Sequence, residues 1–211
     1  MVGNRVIVLH AELKGHRAAP GLQAMLKRIP YAKRLELERR GAVAREASLR
    51  GLSLALEAIE MLTGKRHEVR ELRFPQDGKP FLPAGPSFSI AHCDSRVACA
   101  AASAGEIGID VEDLPGPRGS AQDRRRLQRW TAIEATLKAA GAGLRAVSEV
   151  KLDEGLSRAR FGGCDYLLAP VQIDPGVIAC VAATLEVTQW TIGKTRAKTG
   201  AINSAPGGPA P

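Results

Sequence analysis

Aromatic side chains are scarce in this chain: Phe, Tyr and Trp together make up 4% of its 211 residues, with only two tryptophans. A surface that stacks bases on rings is therefore poorly supported, because binding of that kind draws on aromatics interleaved with cations. No apolar run approaches the roughly 20 residues that cross a bilayer. The start of the chain has only a short apolar segment, Val6 to Leu9, which is too little for a secretory leader and reads instead as a first strand. The four cysteines, Cys93, Cys99, Cys164 and Cys180, include no CxxC pair, so neither a zinc spacing nor a redox motif is present. Three of them lie in apolar, strand-like surroundings, as expected of buried, reduced thiols in a cytoplasmic protein.

Acidic residues are also in deficit, 22 against 30 lysines and arginines, which gives a formal charge of +8. Such a surface attracts anions, whether nucleic acid, membrane headgroups, an acidic protein or a phosphate ligand. Apolar residues make up 45% of the chain, enough for a packed core in one large domain or two small ones.

The pattern along the chain alternates strands with helices. Residues 2–13 read as a strand, and 31–62 as one long helix or two, with Gly41 and Gly51 as the weak points. Residues 74–85 carry Pro75, Gly78, Pro80 and Pro83 and read as turns. A strand pair follows at 88–90 and 97–102, then a strand at 107–111, a Pro/Gly-rich loop at 114–120 and a helix at 124–137 closed by Gly141 and Gly143. Two further strands, 166–173 and 177–187, flank the turn Asp174-Pro175-Gly176. From residue 193 the composition is that of a disordered tail.

Three carboxylates stand out. Residues two apart on a strand share a face, so Asp110 and Glu112 project together while Ile109 and Val111 enter the core. On the following helix, Glu134 and Lys138 lie one turn apart, and Trp130 and Leu137 can anchor an apolar stripe. Taken singly, such acids read as surface charge. Converging, they form a hard-oxygen set suited to Mg²⁺, which takes one or two carboxylates and completes its shell with water and phosphate oxygens.

The ordered series Gly78-Lys79-Pro80, Phe88-Ser89-Ile90-Ala91-His92, Gly108-Ile109-Asp110-Val111-Glu112 and Trp130 through Lys138 to Gly141 resembles the 4'-phosphopantetheinyl transferase family, in its larger single-chain form. The resemblance covers roughly residues 30–185. It implies an α+β fold of two similar halves about a pseudo-twofold axis, with residues 1–104 as the first half, 105–192 as the second and 193–211 as a tail. It also implies a monomer with its active site in the cleft between the halves. The implied reaction moves the phosphopantetheine arm of coenzyme A onto a serine of an acyl or peptidyl carrier protein, with Mg²⁺ as cofactor and no nucleic acid or membrane partner.

On this resemblance Asp110, Glu112 and Glu134 are the metal ligands, and Glu134 is also the base for the serine hydroxyl. Lys138 neutralises phosphate charge, and His92 hydrogen-bonds the diphosphate as a group able to donate to phosphate oxygen. Lys79 and Arg45 are the implied coenzyme A contacts, Arg45 through the looser motif Arg45-Glu46-Ala47-Ser48-Leu49-Arg50-Gly51. As a lone side chain each of Lys79, Arg45 and His92 also fits an ordinary structural or surface role.

The chain departs from the family in three places. Ile133 stands where a lysine usually precedes the helix glutamate, Ala91 replaces a small hydroxyl residue before the histidine, and the connection between Asp110 and Trp130 is short. In relatives the missing segment forms a flap; here residues 118–129 fill it with arginines suited to steering an acidic carrier helix. The departures also fit a degenerate relative that binds coenzyme A or a carrier without turnover, and the charge alone fits a basic nucleic-acid binder.

Overall fold

The structure, a computed structural model, describes residues 3–13, 20–76, 78–116 and 119–195. It is an α+β fold with two sheets. The first sheet has the order β2-β3-β1-β9, built from β1 (Asn4–Glu12), β2 (Ser87–His92), β3 (Arg96–Ala102) and β9 (Val187–Lys194). The second has the order β4-β8-β7-β6-β5, from β4 (Ile107–Asp113), β5 (Lys151–Leu152), β6 (Arg158–Phe161), β7 (Cys164–Pro170) and β8 (Val177–Ala183). All neighbours pair antiparallel except β1 and β9, which run parallel.

Alternation along the strands builds the layers. Ile7, Leu9 and Ala11 of β1 face the long helix α3 (Ala42–Thr63) with Phe88, Val97, Cys99 and Ala101. Val6 and Val8 point the other way and meet Ile107, Ile109, Val111, Ala179 and Val181 of the second sheet. On the outer face of that sheet lies α4 (Ala121–Ala140), whose Ala132, Ala135 and Ala139 pack on Leu168, Cys180 and Ala182. The order is therefore helix, sheet, sheet, helix, with both sheets burying apolar rows on each side.

Two shorter helices, α1 (Pro20–Arg28) and α2 (Tyr31–Arg39), complete the first layer through Leu22, Leu26 and Leu37. The helical stretch expected over 31–62 is two helices, broken at Arg40 and Gly41. Gly51 does not break α3: a Cβ there would lie 2.4 Å from Ile90 of β2, so the glycine lets the helix sit close on the strand. The strand expected over 177–187 is two, β8 ending at Ala183 and β9 starting at Val187 on the first sheet. Because β9 runs through Lys194, residues 193–195 are not the start of the expected tail; residues 196–211 lie outside the described residues.

Each sheet repeats one pairing scheme. The first strand of a set precedes the long helix and pairs with the last strand, which pairs with the one between: β1 with β3 and β3 with β2, β4 with β8 and β8 with β7. Among the described residues no helix is long and apolar enough to cross a membrane. Of the thiols, Cys99 and Cys180 are buried, Cys93 is half-buried, and Cys164 is exposed beside Gly162 and Gly163, contrary to the expectation that three are buried.

Candidate metal centre

Gly108, Asp110 and Glu112 occupy alternate positions of β4 and turn toward α4, as strand periodicity requires. The helix comes unusually close. A Cβ on Gly108 would stand 2.0 Å from the carbonyl oxygen of Ala135 and 2.4 Å from the nitrogen of Ala139, so only glycine permits this approach. The start of α4 is set by a capping box in which Ser120 Oγ accepts from Asp123 N at 3.0 Å and Asp123 Oδ2 accepts from Ser120 N at 3.1 Å. Its end is set by Gly141 at φ 68°, a left-handed cap. Held this way, α4 lays Trp130, Glu134 and Lys138, successive turns of one face, along the acidic strand.

The three carboxylates meet. Asp110, Glu112 and Glu134 each bring one oxygen within 4.8 Å of the others. Asp110 is buried, and Lys138 Nζ donates to its Oδ1 at 2.5 Å while standing 3.5 Å from Glu134 Oε2. Glu112 Oε1 accepts from the indole N–H of Trp130 at 3.1 Å. The other oxygen of Asp110, Oδ2, is buried with no hydrogen-bond partner. An acceptor in that position is expensive to leave unpaired.

Burial dominates the protonation of Asp110 and Glu112. It pushes Asp110 up to about 7 against the lowering effect of Lys138, with the Glu134 and Glu112 charges raising it further. Glu112 is also raised, first by burial, with the Trp130 hydrogen bond opposing. A divalent cation would relieve the repulsion and supply the missing partner of Asp110, and three hard carboxylate oxygens fit Mg²⁺.

His92 ends β2, which runs in the same direction as β4. Lys79 bridges Ser87 and Ile107 at one end of the pair, and the Ile109 N–H donates to Ser89 Oγ at 3.2 Å in the middle. His92 and Glu112 therefore fall at the same end. The His92 pKa is lowered by burial and then by the nearby charges of Lys138 and Arg40. Its ring borders a cavity of about 170 Å³ whose polar wall is Lys33, Arg40 and Ser48.

Two expected residues are not brought to the acids. Lys79 Nζ donates to Glu106 Oε2 at 2.7 Å and to the Ile107 carbonyl at 3.1 Å. That is five residues along β4 from Glu112, about 16 Å at the usual strand rise. Arg45 turns toward the carbonyl of Glu38, 3.4 Å away, while Arg40 is the α2-end arginine that faces the His92 cavity. Arg40 and Lys33 both pair with Glu36, at 2.6 and 2.8 Å, and Arg40 also donates to Ser48 Oγ at 3.2 Å.

Nothing in the spacing marks Lys33, inside an arginine-rich helix, or Arg40, at the break that follows it. Trp130 was read as an apolar anchor, and its polar edge turns out to serve Glu112. Ser89, a hydroxyl between Phe88 and Ile90, was the available signal for the β2–β4 bridge. No protein-family model and no curated protein matches the chain.

Proposed function

We propose that the chain is a Mg²⁺-dependent 4'-phosphopantetheinyl transferase that moves the arm of coenzyme A to a serine of an acyl or peptidyl carrier protein in the cytoplasm. The observation that carries this reading is the convergence of Asp110, Glu112 and Glu134 within 4.8 Å at the end of β4, with His92 ending the neighbouring strand. The repeated pairing of the two sheets supports two related halves about a pseudo-twofold axis, residues 1–104 and 105–192, with β9 returning to the first sheet.

Asp110, Glu112 and Glu134 are the residues that would hold the ion. When bound, Mg²⁺ neutralises diphosphate charge in a reaction that depends mainly on positioning and electrostatics. His92, Arg40 and Lys33 take the nucleotide end of coenzyme A, with the cavity beside His92 receiving its phosphate. Arg40 and Lys33 replace Lys79 and Arg45 in this role.

Glu134 is half-buried, and in this reading it is the carboxylate that the serine hydroxyl meets. It accepts that proton as the serine oxygen bonds to the β-phosphorus, and the bond to 3',5'-ADP breaks. General-base assistance of this kind contributes roughly 10²- to 10⁴-fold. Lys138, whose Nζ stands beside Asp110 and Glu134, would offer its ammonium to the phosphates. Arg125, Arg126 and Arg129 on α4 give an acidic carrier helix a favourable approach.

The test is the mass of an apo carrier protein after incubation with the chain, coenzyme A and Mg²⁺. The proposal expects the carrier to gain the phosphopantetheine mass, and expects Asp110→Asn to abolish the gain. No gain across several unrelated carriers would overturn it.

A further inference from the structure

We infer that Trp130 is a positioning residue for the cation site, acting through Glu112. The inference rests on the metal-centre reading and adds a residue to which that reading gives no role in metal binding.

Glu112 stands near the end of β4, half-buried, with a flexible side chain that must lose rotamer freedom to serve as a ligand. The indole N–H is a donor and nothing else, so it can hold a carboxylate oxygen but cannot take a cation from it. At 3.1 Å it engages Oε1 of Glu112, one oxygen of a carboxylate that has a second with which to ligate. The ring is half-buried and borders, with Leu114, Pro115 and Leu127, the apolar trough that adjoins Glu112, so the donor is carried on a bulky anchor rather than a mobile arm.

Partners of this kind orient ligands, and their loss typically weakens metal binding 10- to 100-fold. One bond here also joins strand to helix. Glu112 comes from β4 and Trp130 from α4, so the indole registers the two elements whose acids must meet.

The experiment is a Mn²⁺ titration of the full chain, reading the free ion by electron paramagnetic resonance. It compares the wild type with Trp130→Phe, Glu112→Gln and the double variant. Phenylalanine keeps the ring and deletes the donor, and thermal unfolding without metal checks that the fold is retained. The expected result is Mn²⁺ affinity about 10-fold weaker in Trp130→Phe. In the Glu112→Gln background the same change should have almost no further effect, because the two residues act as a unit.

An unchanged affinity in Trp130→Phe, or an equal loss in both backgrounds, overturns the role assigned to Trp130 while leaving the metal centre intact. Failure of the wild type to bind Mn²⁺ at millimolar concentration overturns the metal centre itself, and the inference with it. If Trp130→Phe does not fold, Trp130→His is measured instead; its shorter ring cannot reach with the same geometry, and affinity equal to wild type counts against the inference.

Discussion

Lys138 Nζ lies 2.5 Å from Oδ1 of Asp110, a lysine on α4 holding a carboxylate that the sheet has buried. The pair is the internal cation of the acidic cluster. Removing the ammonium in Lys138→Met strands the Asp110 charge, and breaking a buried pair in this way costs about 3–5 kcal/mol. Because Lys138 is 30% exposed, solvent screening reduces this to about 2 kcal/mol. Urea unfolding without metal should register the loss at pH 8 and little of it at pH 5, where Asp110 carries a proton. The same loss at both values would mean that the lysine acts through packing of its stem.

The protonation of Asp110 gives a second outcome. Its folded pKa, about 7, lies above its unfolded value, so the folded protein binds the extra proton. That contribution to stability is full below the unfolded carboxylate range and is lost as pH rises through 7. Metal binding has the opposite sense, since the ion competes with this proton. Mn²⁺ affinity measured from pH 5.5 to 8.5 should climb to about pH 7 and then level off. The stability of the metal-free protein should fall across the same window, and Asp110→Asn should flatten both curves.

Gly108 sets how near α4 can come. An alanine there meets the backbone of Ala135 and Ala139, which cannot rotate away, so the helix must lift from the strand. Overpacking of this kind costs typically 1–3 kcal/mol. Gly108→Ala should lower the unfolding free energy measured in urea by about that amount and weaken Mn²⁺ binding as well, because Glu134 leaves with the helix. A stable variant with full metal affinity would mean that the acids do not depend on this contact.

Arg40 and Lys79 separate two views of the coenzyme site. Arg40→Ala should weaken coenzyme A binding by calorimetry about 10- to 150-fold, the magnitude for a charge-assisted hydrogen bond of about 1.5–3 kcal/mol. Lys79→Ala should leave that affinity unchanged and lower stability through Glu106 and Ser87. The reverse pattern would restore the role that the sequence suggests for Lys79.

The parts of this fold that follow from local rules were legible. The alternation in β4, the closing Gly141 and the spacing of Glu134 and Lys138 define a two-acid strand and a one-acid helix before any coordinates, whereas the Ser120 cap, which starts the helix at Ala121 rather than at the expected residue 124, does not stand out. Long-range pairing was not legible. Nothing local distinguishes Val187–Lys194 as a strand of the first sheet rather than a continuation of β8, since its partner β1 lies nearly the whole chain away. The partners that Lys79 and Arg45 meet were not legible for a related reason: a basic residue in a turn or helix carries no mark of which carboxylate or carbonyl it will meet. The β5 and β6 strands, short and flanked by charge, have no apolar pattern to read.

The central claim is that residues 110, 112 and 134 jointly ligate a divalent ion. Crystals grown with Mn²⁺ and coenzyme A, measured at the manganese edge, test it in one anomalous map. The account predicts a single strong peak within ligating distance of all three carboxylates, with diphosphate oxygens completing the shell on the His92 side. A peak elsewhere, or no peak while coenzyme A is bound, would contradict it.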